Sequence, residues 1–512
     1  MKPKLLFWND TMRLHFILAK YIQDNFDCEM YSIFEIPEGK KTFSQKQKFV
    51  KFKKVWYYHD YILKTKRKPD LNYLKAIEEK YHIFLWLIAT NDRFFSNFNK
   101  FYKFSYDEIL LILEDEIKLY EMILDEVKPD FVLMPNTDHQ HNHIFYEICK
   151  SRGIKVITPF VARTGFYSKG SVFPSRIYLN DHVDPYLPLP NKKNKKNDNK
   201  PTITQQNNTS TDKKYSDDAL QFRVQEHLIS RNYGKAATKY LFTKDENVKT
   251  HYTYFGRSKI KVIFEMLLYE LRKQRRESFM NSNLKNEIDQ KTNFVYFPLH
   301  QEIERILLLG APFFMNQLEV IRNIANALPI DYKLCVKDHM VMNIRGWRSI
   351  DEMKKIMNLP NVILLHPSTN SIELMKKSKL VISGSSSLEA AFYNKPSISF
   401  VNLGMFKISS LTVLKSITDL PEVIRTSLMQ KVDEKEIEVF KKAVVDNTFE
   451  FGMDKIDNEI AIVLNFGGNY ANAEIQDEKM SLLIEKFKPE FTLFALKHIE
   501  KMKQLSSLRT SN

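Results

Sequence analysis

Residues 381–400 read VISGSSSLEAAFYNKPSISF, which sets Gly384, Ser385, Ser386 and Ser387 between an apolar run and a segment of helical character. With only 13 glycines in 512 residues, this chain does not scatter small residues freely. A small polar turn that ends a strand and opens a helix offers N–H groups, hydroxyls and the positive end of the helix dipole to an anion. A second reading needs no ligand: Ser386 and Glu389 have the S-x-x-E spacing of a capping box, and the same grammar recurs at Asn370–Glu373. One cap does not call for three serines and a glycine, so the anion site is the preferred reading.

Transfer of a group away from a phosphate requires a stabilised leaving group, a base for the acceptor and exclusion of water. Lys337 and His339 stand two residues apart at a strand end, so both project to one side and can bring charge to a phosphate without a metal. Singly, each also reads as a solvated lysine and a loop-capping histidine. His300, with Glu302 just beyond it, follows another strand and is placed to contact substrate, or to supply carboxylates at a helix start. Arg322 and Arg345 could assist. For the base, the run MPNTDHQHNH at 134–143 crowds Asp138, His139, His141 and His143 after a strand end. It reads first as a polar loop capping the next helix through Asp138 or Asn142, second as a proton acceptor built on Asp138 and His139, and last as a zinc site. Asp10, after the first strand, is a rival base by the same logic.

These residues must be held by an α/β framework. Strands are expected at Lys4–Trp8, Glu29–Phe34, Asp130–Pro135 and Ile154–Pro159, with helices at Met12–Gln23 and Ile144–Ser151 and Gly153 as a helix stop. A second series of strands at Asn293–Phe297, Lys333–Lys337, Val362–Leu365, Leu380–Ser383 and Ser397–Val401 alternates with helices at Asn316–Ala327, Ile350–Met357, Ile372–Lys377 and Leu388–Tyr393. Alternation of this kind implies a parallel sheet. The chain therefore divides into an α/β domain at 1–185 with helical insertions, and a polar segment at 186–217 with almost nothing apolar to bury, read as a disordered linker or loop. A basic helical segment at 218–290, a second α/β domain at 291–430 and a helical tail at 431–512 complete it. In the basic segment Val262, Ile263, Met266, Leu267 and Leu271 share a face. That fits a helix docked on the protein with a charged outer face, or one lying on an anionic membrane.

The formal charge of +15 favours anionic partners, while no recognition motif argues for nucleic acid. Cys28, Cys149 and Cys335 are far apart without metal spacing and read as ordinary thiols in a reducing compartment. The first strand lacks a G-x-G-x-x-G run, so a dinucleotide is not indicated. Neither a signal peptide nor a bilayer-spanning run is visible, and the expectation is a cytoplasmic protein able to rest on the inner membrane face.

Taken in order, NFVYFPLH (293–300), QLEVIR (317–322), LCVKDH (334–339), NVILLHP (361–367) and the serine turn with its S-L-E-A and K-P resemble the capsule polysaccharide biosynthesis family. These are GT-B-type glycosyltransferases, similar in layout to the Kdo transferases of capsule export and to some sialyltransferases. The resemblance covers residues 290–430, and the first 185 only in outline. It implies a GT-B-like α/β fold, two Rossmann-like domains with parallel sheets facing across a cleft, acceptor on the first and nucleotide-sugar on the second. It implies that Lys337 and His339 match a K-x-H-P motif at the donor phosphate or nucleotide, and that Ser385, Ser386 and Ser387 contact donor phosphate, with Glu389 in the same turn. Met340 departs from the pattern, where proline is usual. The implied partners are a nucleotide-sugar donor, cytidine-linked by family analogy, and a polysaccharide or glycolipid acceptor, with no further cofactor and no metal. An epimerase or polyol-phosphate transferase on the same scaffold, or a non-catalytic glycan-binding scaffold, are the alternatives.

Overall fold

The computed structural model describes residues 2–65, 67–95, 99–161, 176–181, 238, 240–242, 246–300, 308, 310–339, 348–384, 386–401, 408–465 and 472–507. The expected linker at 186–217, together with Ser385, Glu302, Met340 and Arg345, lies outside the described residues.

The first sheet is built from β1 (Lys4–Asp10), β2 (Glu29–Glu35), β3 (Lys54–Tyr57), β4 (Phe131–Leu133), β5 (Lys155–Val161) and β6 (Arg176–Asp181). Between and beside them run α1 (Leu14–Asn25), α2 (Glu38–Lys46), α3 (Leu71–Tyr81), α4 (Leu85–Thr90), α5 (Tyr106–Val127) and α6 (Gln140–Ser151). β1 is apolar over Leu5–Trp8 and buried on both faces, as a central parallel strand must be. Helix α5 opens on a capping box, Ser105 with Glu108, and lays Ile112, Leu113, Ile117 and Tyr120 into the core. Gly153, just past α6, has φ +69, the left-handed position expected of it.

A short α7 (Asn247–Thr250) and the long α8 (Lys259–Asn283) lead to the second sheet: β7 (Phe294–Pro298), β8 (Lys333–Lys337), β9 (Val362–Leu365), β10 (Leu380–Ser383), β11 (Ser397–Ser399) and β12 (Leu411–Val413). Its helices are α9 (Gln317–Ala327), α10 (Ile350–Met357), α11 (Ser371–Lys377), α12 (Ser386–Phe392) and α13 (Leu420–Met429). The tail carries α14 (Glu434–Asn447), β13 (Phe449–Glu450), α15 (Met453–Leu464), α16 (Asp477–Lys486) and α17 (Lys488–Ser507).

Strand order is β13-β6-β5-β4-β1-β2-β3 in the first sheet and β12-β11-β10-β7-β8-β9 in the second. All pairings of the second sheet are parallel. In the first, β5–β6 and β6–β13 are antiparallel, so that sheet is mixed at one edge, where a purely parallel sheet was expected. Two Rossmann-like domains of this kind make a GT-B-like α/β fold. In each sheet the chain winds outward on one side, then returns to the other side of its first strand. The reversal lies between β1 and β4 in one domain and between β7 and β10 in the other, and such switch points open a crevice at the carboxyl ends of the strands.

The tail does more than extend the second domain. Helix α1 is apolar nearly all round, burying His15, Phe16, Ile17, Leu18, Ala19, Tyr21 and Ile22. One sheet face cannot cover that surface, and α17 supplies the rest through Phe491, Phe494 and Ile499. Tyr21 donates to the Ile484 carbonyl at 2.7 Å. A cluster of Tyr178, Leu388, Ala391, Ile437, Phe440 and Val444 ties β6, α12 and α14 together across the two domains.

Candidate functional site

The second-domain switch point is formed by His300, two residues past β7, and Gly384, which ends β10. The Gly384 amide donates to His300 Nε2 at 3.0 Å, fixing the proton of that imidazole on Nδ1. A Cβ at Gly384 would stand 2.6 Å from the same nitrogen, so the glycine is what lets the ring approach. Ser387 is buried and its hydroxyl donates to the Gly384 carbonyl, so it braces the turn from within. Ser386 is the first helical residue of α12, a position inside the helix and not the cap that the S-x-x-E spacing suggested. Glu389 lies one turn on, half-buried. At Asn370 the capping grammar is realised: its side chain accepts from the Ile372 and Glu373 amides.

Lys337 ends β8, the neighbour of β7. It is buried, its ammonium donates to Ser371 Oγ at 2.7 Å, and burial pushes its pKa down to about 8 despite Asp338 alongside. Asp338 is buried in turn, paired with Arg348 at 3.0 Å, and its Oδ1 accepts the His339 amide at 2.9 Å. His339 is half-buried at the rim, and its backbone is held by that carboxylate. Arg322 pairs with Glu319 on the exposed side of α9, away from these groups. His366 bonds Ser368 at 2.6 Å and Asn281 at 3.1 Å.

At the first-domain switch point β1 ends at Asp10, and the next two residues, Thr11 and Met12, have φ of 52° and 61°. Consecutive non-glycine residues in the left-handed region are strained and need support. Lys40 supplies it, donating to the Thr11 carbonyl at 2.9 Å and to Asn465 Oδ1 at 2.7 Å. Arg13 bonds Thr11 Oγ1 at 2.7 Å and pairs with Asp457 at 2.8 Å. Burial, with Arg13 nearby, pushes the Lys40 ammonium down to about 7, against the attraction of Asp10 and Asp457. The field of Asp10 also reaches buried His15, whose pKa is lowered by burial.

The histidine run divides on folding. Asp138 is exposed, and its carbonyl accepts from Arg93 at 3.0 Å. His139 is the N-terminal flanking residue of α6 and makes no side-chain cap, so neither Asp138 nor Asn142 holds the capping position expected of them. Its ring stacks on Phe94 at 4.8 Å and on His141 at 5.4 Å, with Nδ1 3.7 Å from the Asp92 carboxylate. His141 is buried, with Nε2 3.1 Å from Glu35 Oε1. Burial opposes its charge, but the Glu35 carboxylate and, behind it, those of Glu116 and Asp92 together outweigh that and raise its pKa. Glu35 also accepts from Trp8 Nε1 at 3.0 Å. Behind them Glu116 of α5 accepts from Tyr58, from Gln140 Nε2 at 2.7 Å and from Tyr252 at 3.2 Å. Burial pushes Glu116 up to about 7, with His141 holding it down in part.

Asp92, Glu35, Glu116, Lys40 and Arg13 were not among the sequence candidates. Glu35 carried a signal, a carboxylate ending a buried strand beside the one that ends in Asp10. Glu116 carried another, a charge on the apolar face of α5. Asp92 carried none, since only the fold brings it to His139.

No family model and no curated protein sequence matches the chain. Among solved structures, the UDP-GlcNAc 2-epimerase from Methanocaldococcus jannaschii aligns at 12% identity over 85% of this chain and 94% of that one, with a TM-score of 0.21. The S. aureus MnaA–UDP co-structure aligns at 14% identity over 92% and 99%, with a TM-score of 0.24. KpsC of Thermosulfurimonas dismutans, a β-Kdo 2,7 transferase, aligns at 10% identity over 63% and 79%, with a TM-score of 0.28. Likenesses this distant assign no reaction, and the fold stands on the two strand orders and their paired switch points.

Proposed function

We propose that this chain is a glycosyltransferase that moves a sugar from a nucleotide-sugar to a polysaccharide or glycolipid acceptor. The observation that carries the reading is the second-domain switch point, where a histidine-locked glycine turn follows β10 and a buried lysine ends β8, on either side of β7. Lys337, His339 and Ser386 would hold the donor phosphate, with Ser385 expected beside them, His300 setting the shape of the turn and Glu389 alongside. Ser387, expected to touch phosphate as well, is fully buried with its hydroxyl on the Gly384 carbonyl and braces the turn instead. Held under α11 by Ser371, Lys337 keeps most of its charge at neutral pH with a pKa of about 8, and a phosphate arriving at the strand ends would strengthen that charge, since an anion raises the pKa that burial lowers. Of the first-domain candidates, His139 is the base best supported, because its ring is held between Phe94 and His141 with the Asp92 carboxylate 3.7 Å from its Nδ1. Asp10, beside the strained Thr11–Met12 turn, is the competing candidate.

The test is turnover and binding with CMP-, UDP- and GDP-linked sugars. Lys337→Ala with His339→Ala should abolish binding of the preferred nucleotide, and undiminished turnover in that double variant would refute the donor site. Conversion of a free nucleotide-sugar to its epimer without acceptor would favour the epimerase reading on the same scaffold. Failure to bind any of the three nucleotides would favour a non-catalytic scaffold.

A further inference from the structure

Helix α8 joins the two domains, and it is docked only at its ends. At its start, Phe255 packs in the first-domain core, Gly256 fits so tightly that a Cβ would stand 2.2 Å from the Phe101 carbonyl, and Lys261 donates to that carbonyl at 2.6 Å. At its end, Phe279, Met280 and Leu284 enter the second-domain core. Within the helix only Arg276 and Met280 are buried. The charged outer face expected of a docked helix is not what the structure presents: Ile260, Phe264, Leu267 and Leu271 are 82%, 58%, 62% and 63% exposed. Their spacing of four, three and four residues places them within about 60° of one another on the helix surface. Phe242, 89% exposed, extends the apolar surface at the N-terminal end, where Lys259 donates to the neighbouring Leu241 carbonyl at 2.5 Å.

We infer that this stripe docks on an anionic lipid bilayer. The helix carries six basic side chains (Lys259, Lys261, Arg272, Lys273, Arg275, Arg276) against three acidic ones (Glu265, Glu270, Glu277), and the whole chain is formally +15. A convex apolar ridge flanked by exposed Arg272 and Arg275 complements negatively charged headgroups over acyl chains, whereas a nucleic acid has no use for the ridge. Because α8 is the connector, docking would set the orientation of both domains to the membrane at once. The inference stands on the surface of α8 alone and does not depend on the reaction proposed above.

The experiment is flotation of the full chain with vesicles of phosphatidylglycerol and phosphatidylethanolamine, against vesicles of phosphatidylcholine. The wild type should bind the anionic vesicles at least tenfold more tightly, and Leu267→Asp with Leu271→Asp, or Arg272→Glu with Arg275→Glu, should each weaken that binding about tenfold or more. Thermal unfolding should be unchanged in both variants, since the altered side chains are exposed. No flotation of the wild type would overturn the inference, as would full binding by either double variant. So would a dimer that the Leu267→Asp, Leu271→Asp variant dissolves, or a fall in its unfolding temperature. The first of these would assign the stripe to a second copy, the second to another part of this chain.

Discussion

Replacing Glu116 by Gln isolates the buried carboxyl of the first domain. In the folded protein its pKa is raised from 4.5 to about 7, with burial the largest cause. The folded state therefore favours the protonated form. Below pH 4.5 the group is protonated whether folded or not and costs nothing. As pH rises from there the unfolded chain ionises first, and stability falls until the folded group also ionises near pH 7. The full penalty is 2.5 pH units at 1.36 kcal/mol each, about 3 kcal/mol, and roughly 2.5 kcal/mol of it develops between pH 5 and pH 8. Glutamine keeps an oxygen to accept from Tyr58, Gln140 and Tyr252 and cannot ionise, so Glu116→Gln should gain on the wild type by that amount across the interval. Glu35 and Asp92 titrate in both proteins and drop out of the comparison. His141 does not, because Glu116 supplies part of its upward shift, so the difference between the profiles belongs to the Glu116–His141 pair. Urea unfolding followed by tryptophan fluorescence is a direct assay, because Trp8 lies 5.8 Å from the Tyr58 ring and 5.3 Å from that of Phe145. Parallel stability profiles for the two proteins from pH 5 to 8 would refute the reasoning.

Two further outcomes follow from the packing. Gly384→Ala should displace His300, since the new methyl would lie 2.6 Å from its Nε2, and nucleotide affinity should fall tenfold or more while the first domain melts unchanged; unaltered affinity, measured calorimetrically, would separate the turn from the ligand. Truncation after Lys486 should leave α1 uncovered and the first domain insoluble or molten by near-ultraviolet circular dichroism, although the cut removes no residue of that domain's central strands.

The second domain was the more legible half because its strands are short apolar runs bounded by turn residues. Lys333–Lys337, Val362–Leu365 and Leu380–Ser383 form as expected, and α10 likewise over Ile350–Met357. The expected helix at Leu388–Tyr393 begins two residues earlier, at Ser386, because the serines enter the helix instead of capping it. In the first domain β3 was hidden in a stretch read as helical, since Lys54–Tyr57 is only four residues long and half-exposed. Strand β13 was hidden in the tail for the same reason, two residues paired antiparallel to β6. The candidate residues whose placement could be read from the sequence are those that end a strand or closely follow one, as Asp10, His300 and Lys337 do. Placement was illegible where a group arrives from a distant helix, as with Glu116 and Lys40, because local spacing says nothing about which helix will cover which strand end. The switch points themselves are a property of strand order, which no single stretch of sequence displays.

The return of the tail has a kinetic and a mechanical corollary. Helix α17 ends at Ser507, so a ribosome must have made both domains before it can close over α1; the half synthesised first is the half completed last, and its apolar helix has to wait through the making of the other. Among the described residues the chain passes between its lobes along α8 and again through α14, so two packed connections, not one flexible joint, hold the lobes to each other.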